Sequence, residues 1–440
     1  MSAPMRPHHP DDDARRPWRP LLAITTLALI LRLAVTLGFE PLPPLFSDAE
    51  YYDVAARSLA NGDGYSVQLT DGAFLPGGSA TAFFPPGYSF FLAVPYAIFG
   101  PGVDVARLAN VLAGALTVPV VYLIGARLFS IRAGLLAAAL AAVFPGLLFW
   151  TPVMLSETFF TFVFALAVLC SVTALRDGRL SWPQVALAGF VTGLAVLVRG
   201  QALILLPVAV LWWWISGIRP RDALLGGGLA LAAAAVLLLP WSIRNFTVFD
   251  APVLLSTNFG YNLRVGHAPY ANGRFIDPAD LYDLVDEGEN FELVLNDEGA
   301  RLALDYALAN PGREAELSLQ KVRWLWSPDS DVVLWLSSFG RTPLSGSTES
   351  AIAWTAQLSH WTFLLLLIPG LATLGLKQPG VVFAGLLCLA WTAVHVVFFG
   401  EPRYHLPLLP VLLPIAAAGL LAAWQRVSPA ADQAAIAVRE

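Results

Sequence analysis

Long apolar runs, separated by short polar segments, make up most of the chain and predict helices that cross a membrane. A helical run of about 20 apolar residues spans the roughly 30 Å hydrocarbon core of a bilayer. The runs that fit this pattern cover residues 20–38, 105–127, 132–152, 156–175, 184–198, 201–217, 223–243, 357–376, 380–399 and 404–424. We therefore predict an all-α polytopic membrane protein with about ten or eleven transmembrane helices.

Basic residues near the ends of these runs indicate which loops face the cytoplasm. They precede the first run and recur in short loops, at Arg15, Arg16, Arg19, Arg127, Arg132, Arg176, Arg179, Arg219, Arg221 and Lys377. All of them share one side only if segment 85–100, PPGYSFFLAVPYAIFG, does not cross the membrane. This segment is short for a span, so we predict an interfacial or half-inserted helix on the outer side. The alternative, that it crosses, stays open.

This topology divides the chain into parts and places the unusual polar residues on the outer side. The predicted parts are a cytoplasmic tail (1–19), an N-terminal transmembrane module (20–245) that contains the first outer loop (39–104), an outer-face loop region (246–355), C-terminal transmembrane helices (356–425) and a second tail (426–440). We expect function to reside on the outer face, where Asn, Gly, Tyr and acidic residues collect.

The composition supports a membrane protein and excludes several classes of enzyme. The 440 residues are 57% hydrophobic and 13% charged, and the mean hydropathy is +0.64. Cys170 and Cys388 lie in apolar runs, so we expect neither a structural disulfide nor a CxxC metal site. The sequence lacks a Walker A loop, a dinucleotide glycine fingerprint, a nucleophile elbow and HExxH, which argues against ATP-driven transport, redox chemistry and metalloproteolysis. We expect no nucleic-acid partner.

The segment SDAEYY, residues 47–52, carries the first dense acidic and aromatic cluster. Ser47 and Glu50 match a capping box that starts a helix running to about Ala60, and acids in a first turn favour the helix dipole without any chemistry. Alternatively, Asp48 lies where the chain leaves the membrane. Partial desolvation there raises the pKa of a carboxyl group and makes it a general base. Glu50, in the same turn, is a further catalytic candidate. The helix has an amphipathic pattern suited to lying on a membrane. Tyr51 on this helix and Tyr88 in segment 85–100 are candidate substrate-binding residues.

Three further charged residues lie at predicted span ends on the outer side. Glu157, in SETFF, is a functional candidate because acids near a span are costly, although Ser156 could simply cap a helix there. Arg199 and Arg403 oppose the positive-inside tendency, and their planar guanidinium groups suit phosphate. With Tyr404 and His405, they resemble a pocket for an anionic lipid headgroup. A surface pair between Arg403 and Glu401 is the alternative.

A polar cluster follows the seventh apolar run. It contains the candidate substrate-binding residues Asn258, Tyr261, Asn262 and His267. Amide and aromatic side chains hydrogen-bond hydroxyl groups and stack against sugar rings, but they are equally common in turns. His267 has no second ligand at metal-binding spacing, so we predict no metal site there.

The combination of these motifs resembles the GT-C superfamily of glycosyltransferases, and most closely family 39, which groups protein O-mannosyltransferases with the lipid A aminoarabinose transferase. The resemblance covers about 20–425. The matching motifs are FSDAEYY, PPGYSFFLAVPYAIFG with Tyr88, SETFF, LVRGQ, STNFGYNLRVGHAPYANG and EPRYHLPLLP. The chain departs from the aminoarabinose transferases at Phe83 and Phe84, since those relatives often carry a basic residue before the Pro-Pro pair.

The resemblance implies a GT-C fold and transfer of a sugar from a polyprenyl-phosphate donor to a lipid, glycan or protein acceptor. It implies a multi-pass protein of the bacterial inner membrane, with its active site facing the periplasm or cell exterior. Asp48 would be the general base, Glu157 a second acid, and Arg403, with Arg199 as a further candidate, would hold the lipid phosphate. Some relatives use a divalent metal such as Mg or Mn, and Asp48 with Glu157 could support one.

Two other classes of function compete with the transferase. A flippase or carrier of lipid-linked saccharides usually shows internal repeats and polar residues at mid-membrane depth, and the sequence shows neither clearly. A non-catalytic scaffold for envelope assembly has no need of Asp48, and would tolerate Asp48→Asn.

Overall fold

The computed structural model of the chain describes residues 17–39, 48–68, 79–286, 290–338 and 344–427. Ser47 and most of both predicted tails lie outside these residues, so the capping box and the tails stay predictions. The predicted helix that begins at Asp48 is confirmed, because α2 covers Asp48–Asn61.

Helices make up most of the described chain, in agreement with the all-α prediction. In order they are α1 Trp18–Gly38, α2 Asp48–Asn61, α3 Gly87–Phe99, α4 Val103–Leu128, α5 Ile131–Val143, α6 Pro145–Phe149, α7 Glu157–Ala174, α8 Trp182–Val198, α9 Leu205–Ile215, α10 Pro220–Phe249, α11 Phe259–Gly266, α12 Phe291–Ala309, α13 Pro311–Leu325, α14 Val332–Ser338, α15 Gly346–Leu374, α16 Pro379–Val397 and α17 Leu409–Val427. Short 3₁₀ helices cover Gly200–Ile204, Ala279–Leu284 and Pro402–Leu408. Two antiparallel pairs of two-residue strands, β1 Ser66–Val67 with β2 Ser79–Ala80 and β3 Leu175–Arg176 with β4 Arg179–Leu180, complete the secondary structure.

Seven helical segments within the described residues are long and apolar enough to cross a membrane. They are Trp18–Gly38, Val103–Leu128, Glu157–Ala174, Pro220–Phe249, Gly346–Leu374, Pro379–Val397 and Pro402–Gln425. Shorter apolar helices occupy the three remaining predicted spans. The predicted span 132–152 is interrupted, because α5 ends at Val143 and Phe144 adopts an extended conformation. The following Pro145 disfavours a helical conformation at Phe144.

The segment predicted to lie at the interface forms α3, a helix of 13 residues. At 1.5 Å per residue it is about 20 Å long, which is short of the hydrocarbon thickness. Its exposed face is apolar, with Phe90, Val94 and Ile98 four residues apart. On the opposite face the Tyr96 hydroxyl donates a hydrogen bond to Asp53 of α2 at 2.5 Å. The length and the apolar face favour the predicted interfacial position.

The described residues of the predicted outer-face loop region (246–355) are mostly helical. Its turn-forming residues lie between helices: Asn290 caps α12 by accepting a hydrogen bond from the Leu293 amide, and Pro311 begins α13. The Leu- and Ala-rich stretch inside α12 has high helix propensity, which the overall polar composition concealed.

The site described below lies on the most enclosed helices. The apolar windows of α4, α7 and the Pro402–Gln425 segment are 72%, 67% and 78% buried, compared with 17% for α1. α7 and α8 are packed neighbours joined by the short β3–β4 hairpin, so they run antiparallel. Glu157 and Arg199 therefore lie at one end of this helix pair, and Arg176 and Arg179 at the other.

Candidate active site

Asp48 is the first residue of α2 and its side chain is partly buried. Burial raises the pKa of the Asp48 carboxyl group above its usual range. Arg403 and Arg199 oppose this effect through their positive charge, whereas the negative charge of Glu157 adds to it. Four ionisable groups from separate parts of the chain therefore act on one another here.

Glu157 is the acid at the centre of this group and is 3% exposed. Its Oε1 accepts a hydrogen bond from Arg199 Nη2 at 2.6 Å, and Arg403 Nε lies 3.3 Å from the same oxygen. Its Oε2 is buried without a hydrogen-bond partner among the described residues. Glu157 is thus held as a carboxylate by two guanidinium groups and keeps one acceptor free.

Arg199 follows the last residue of α8 in an extended conformation, which directs its side chain across to the start of α7. Its Nε donates a hydrogen bond to Ser156 Oγ at 2.9 Å. The Ser156 side chain does not cap α7, so the alternative interpretation of this serine as a helix cap is wrong. Tyr52, in the second turn of α2, also hydrogen-bonds Ser156.

Arg403 lies in the 3₁₀ helix Pro402–Leu408, surrounded by aromatic rings. Its Cζ atom lies 5.7 Å from the Trp150 ring centre, 4.9 Å from that of Trp335 and 5.5 Å from that of Tyr404. The buried atoms Nε and Nη1 have no hydrogen-bond partner among the described residues. Arg403 therefore keeps donors available for an anion in a largely apolar setting.

Glu401 does not form a surface pair with Arg403, which was the alternative to a headgroup pocket. Both of its carboxylate oxygens accept hydrogen bonds from Arg274, at 3.3 and 2.7 Å, and the Phe275 amide donates to it at 3.0 Å. Arg274 also binds Asp331. This network fixes the chain next to Arg403 without neutralising Arg403.

Sequence reasoning missed Asp329, which lies between α13 and α14 and is 4% exposed. One of its oxygens accepts a hydrogen bond from the Trp150 indole. Burial raises the pKa of Asp329 to about 7, with Arg403 and the indole hydrogen bond acting against this and the negative charges of Asp331 and Glu157 adding to it. In the sequence SPDSD it resembles an ordinary turn, so no local signal distinguishes it.

The remaining predicted site residues are placed differently. Tyr404 lies between the two arginines, with its ring centre 5.6 Å from Arg199 Cζ. Glu50 is buried in the first turn of α2, Asn258 accepts a hydrogen bond from Ser256, and Asn262 is half-buried. Five others contact protein groups: Tyr51 with Thr81, Tyr88 with Asn110, Tyr261 with Asp277, His267 with Glu314 and the Val397 carbonyl, and His405 with the Leu325 carbonyl. The catalytic role of Glu50 and the substrate-binding roles of the others stay predictions.

The acidic pair does not fit a resident divalent cation. Asp48 and Glu157 are the two carboxylates of the cluster, and Glu157 Oε1 is already paired with Arg199. Across the described residues, no group of three His, Cys, Asp or Glu side chains is arranged to hold a metal ion. Mg²⁺ and Ca²⁺ prefer several oxygen ligands free of competing cations. We therefore derive no step through a metal.

Part of the chain is similar in sequence to known proteins. The model of the family described as dolichyl-phosphate-mannose-protein mannosyltransferase matches residues 84–243. An undecaprenyl phosphate-alpha-4-amino-4-deoxy-L-arabinose arabinosyl transferase of Pseudomonas fluorescens is 31% identical over 172 residues, which is 36% of this chain and 29% of that protein. The family match contains Glu157 and Arg199, whereas Asp48 and Arg403 lie outside it.

Solved structures extend the likeness to nearly the whole fold. The oligosaccharyltransferase of Archaeoglobus fulgidus in its apo form has a TM-score of 0.61 at 16% identity, covering 96% of this chain and 52% of that chain. The same enzyme in complex with an inhibitory peptide and a dolichol-phosphate has a TM-score of 0.56 at 16% identity, covering 94% and 52%. The chain thus spans about half of these structures and under a third of the transferase it matches. The likeness confirms the predicted GT-C fold of a multi-pass membrane protein.

Proposed function

We propose that this protein is a membrane glycosyltransferase that moves a sugar from a polyprenyl-phosphate donor to a lipid, glycan or protein acceptor. In this proposal the active site faces the periplasm or cell exterior of a bacterial inner membrane. Support comes from the GT-C fold, from the match to the family described as dolichyl-phosphate-mannose-protein mannosyltransferase, and from the relative named as an undecaprenyl phosphate-4-amino-4-deoxy-L-arabinose transferase. The oligosaccharyltransferase of similar fold was solved with a bound dolichol-phosphate.

The observation that carries the proposal is the pair of unsatisfied hydrogen-bond donors on Arg403, close to Asp48. The buried Nε and Nη1 of Arg403 have no hydrogen-bond partner among the described residues, although Nε lies 3.3 Å from Glu157 Oε1, and the charge of Arg403 acts on the Asp48 carboxyl group. A phosphate is the anion best matched to a guanidinium group set among aromatic rings. A carboxyl group with a raised pKa beside it is suited to remove a proton.

The reaction that fits this arrangement is a direct displacement. Asp48 takes the proton of the acceptor hydroxyl or amine, and the acceptor atom forms a bond to the anomeric carbon of the sugar. The bond between that carbon and the phosphate oxygen breaks, and the electron pair leaves with the lipid phosphate. Attack opposite the leaving group inverts the anomeric configuration.

The arginines stabilise the charge that develops on the leaving group. As the glycosidic bond breaks, negative charge grows on the phosphate oxygen, and Arg403 provides preorganised donors in a site of low dielectric. The low pKa of the phosphate removes the need for a separate general acid. Glu157 holds Arg199 and Arg403 at fixed positions, so their side chains need not reorganise during the reaction.

The distribution of basic residues supports the outward orientation. Arg176 and Arg179 lie in the hairpin that joins α7 and α8, and Arg219 and Arg221 lie at the start of α10. The site residues Glu157 and Arg199 lie at the opposite end of α7 and α8. Under the positive-inside rule, the site then faces away from the cytoplasm.

A transfer assay in nanodiscs tests the proposal. The purified protein is mixed with a panel of polyprenyl-phospho-sugars and a crude envelope acceptor fraction, and free polyprenyl phosphate is measured. We expect release by the wild type, loss with Asp48→Asn, and full activity with Asp177→Asn, a matched change at an exposed acid in the α7–α8 hairpin. If no donor turns over, or if vesicles instead move the lipid-linked sugar between leaflets at the same rate with and without Asp48→Asn, the transferase proposal is wrong.

A further inference from the structure

We propose that Asp329, together with the rings of Trp150 and Trp335, forms a subsite that binds a hydroxyl group of the donor sugar. This inference rests on the proposed function and names the part of the site that holds the sugar ring. Asp329 is a binding residue in this account, and Asp48 remains the base.

The Asp329 carboxyl group is buried and only half satisfied. One oxygen accepts the indole hydrogen bond from Trp150, a residue 179 positions away in the sequence, while Oδ1 has no hydrogen-bond partner among the described residues. Buried polar atoms in native proteins nearly always have a partner, and an orphan therefore calls for an explanation. A substrate group that donates a hydrogen bond to Oδ1 supplies one.

The position of Asp329 next to Arg403 identifies the substrate group. Trp150 contacts both residues: its indole nitrogen binds Asp329, and its ring lies 5.7 Å from Arg403 Cζ. Trp335 lies 4.9 Å from the same Cζ, and the two tryptophan ring centres are 6.2 Å apart. In the donor, the sugar is bonded directly to the phosphate. If Arg403 holds that phosphate, the sugar ring lies within reach of the two indoles and the carboxyl group.

The chemistry of this corner suits a sugar. Aromatic rings with few rotatable bonds provide a rigid apolar surface for the C–H groups of a sugar ring, and a small number of polar groups then fix its orientation. An ionised carboxylate accepts a hydrogen bond from a hydroxyl group more strongly than a neutral acceptor does.

The charged groups around Asp329 place its ionisation in the physiological range. Asp331 on the same segment and Glu157 on α7 favour its neutral form, while Arg403 and the Trp150 indole favour its ionised form. Arg274 binds and partly neutralises Asp331. With burial dominant, the pKa of Asp329 rises to about 7. Hydroxyl binding therefore strengthens as the pH rises through about 7.

Asp329→Asn tests the inference because the amide can keep the Trp150 hydrogen bond through its oxygen while presenting NH₂ to the pocket. Trp150→Phe is the comparison variant, since it keeps an aromatic ring, smaller than the indole, and removes the indole donor to Asp329. Asp48→Asn is the control that lacks the proposed base. Asp177→Asn is the control for activity lost during purification and reconstitution. All variants are compared with wild type in nanodiscs at pH 6 to 9, with KM for the donor and kcat determined separately, after size-exclusion chromatography has verified folding.

We expect Asp329→Asn to raise KM for the donor about 10- to 100-fold, the effect of losing a hydrogen bond to a charged group. We expect kcat to change less, and the dependence of KM on pH near 7 to vanish. Asp329→Glu, which keeps the charge and changes the reach, should retain that pH dependence. Trp150→Phe should raise KM by a smaller factor.

The following results would overturn the inference. An unchanged KM and pH profile in Asp329→Asn, alongside an inactive Asp48→Asn, removes Asp329 from the substrate site and leaves the proposed function in place. Equal losses of kcat in Asp329→Asn and Trp150→Phe without a change in KM assign Asp329 to a structural role. If Asp329→Asn does not fold, a KM for the donor that stays constant between pH 6 and 9 in both wild type and Asp329→Glu overturns the inference. Absence of turnover by wild type overturns the proposed function and this inference with it.

Discussion

Arg199 Nη2 lies 2.6 Å from Glu157 Oε1, although the two residues are 42 positions apart in the sequence. The antiparallel packing of α7 and α8 brings the first residue of one helix next to the residue that follows the other. Arg403 approaches the same carboxylate oxygen from the 3₁₀ helix before α17. Glu157 therefore serves as the fixed counter-charge around which the two arginines are arranged.

Removing this counter-charge with Glu157→Gln leaves two guanidinium groups without their acid. Removal of one partner of a buried ion pair costs about 3–5 kcal/mol of unfolding free energy, and we expect a marked fall in the thermal unfolding midpoint. We also expect kcat to fall at least 10-fold, because Arg403 loses its fixed position. Thermal unfolding in detergent and the nanodisc assay measure the two effects. Glu298→Gln, which removes an exposed acid on α12, is the control, and an equal midpoint in both variants would contradict the argument.

Arg403→Lys keeps the positive charge but removes the planar group that contacts Trp335 and Trp150. Lysine binds phosphate as a point charge and lacks the bidentate geometry of arginine. We expect inhibition by free polyprenyl phosphate to weaken about 10-fold, and Arg403→Gln to weaken it further. Inhibition constants from the transfer assay provide the measurement. If Arg403→Lys and wild type bind polyprenyl phosphate equally well, the phosphate lies elsewhere.

The raised pKa of Asp48 predicts how activity depends on pH. A general base works in its ionised form, so kcat/KM should fall as the pH decreases through the pKa of Asp48. Because burial raises that pKa, the fall should occur above the range of an ordinary aspartate, which is near 4. Rate profiles of wild type measured between pH 4 and 8 test this. A profile that stays flat down to pH 4 would exclude Asp48 as the base.

The sequence was sufficient to predict the parts of the fold and site that depend on local composition. Apolar length predicted the transmembrane helices, and acids or arginines at span ends drew attention to Asp48, Glu157, Arg199 and Arg403, because charges are costly there. The break between α5 and α6 could also be predicted from the sequence, because Pro145 disfavours a helical conformation at the residue before it. These features need no knowledge of which helices are neighbours.

Tertiary packing decided the features that the sequence did not reveal. Asp329 is unusual only because Trp150 covers it, and nothing in SPDSD shows that contact. The sequence also did not show the partners of the candidate residues His267 and His405, each of which has one ring nitrogen within hydrogen-bond distance of a backbone carbonyl, that of Val397 and of Leu325 respectively. The partner of a side chain depends on the packing of distant segments, which periodicity and composition do not report.

The ionised form of Asp329 is expected to bind the substrate hydroxyl group but to destabilise the fold. Its pKa is raised to about 7 in the folded protein, against about 3.9 in an unfolded chain. The folded state therefore binds this proton more tightly than the unfolded chain does. The protonated group's favourable contribution to the free energy of unfolding is complete below about pH 4 and is lost as the pH rises through 7. Above pH 7 the buried charge destabilises the fold. Asp329→Asn removes that charge and keeps the shape, so we expect its unfolding midpoint at pH 8 to exceed that of wild type by roughly 2–4 °C.

The same comparison at low pH separates charge from packing. Near pH 4.5 the wild-type carboxyl group is largely protonated in the folded state, so the stabilising effect of Asp329→Asn should shrink towards zero. Thermal unfolding of both proteins in the same detergent, at several pH values between 4.5 and 8.5, gives the difference directly. If Asp329→Asn is less stable than wild type at every pH, Asp329 stabilises the fold. If instead its unfolding midpoint is higher only at high pH and its donor binding is weaker, the acid is retained for its contact with substrate.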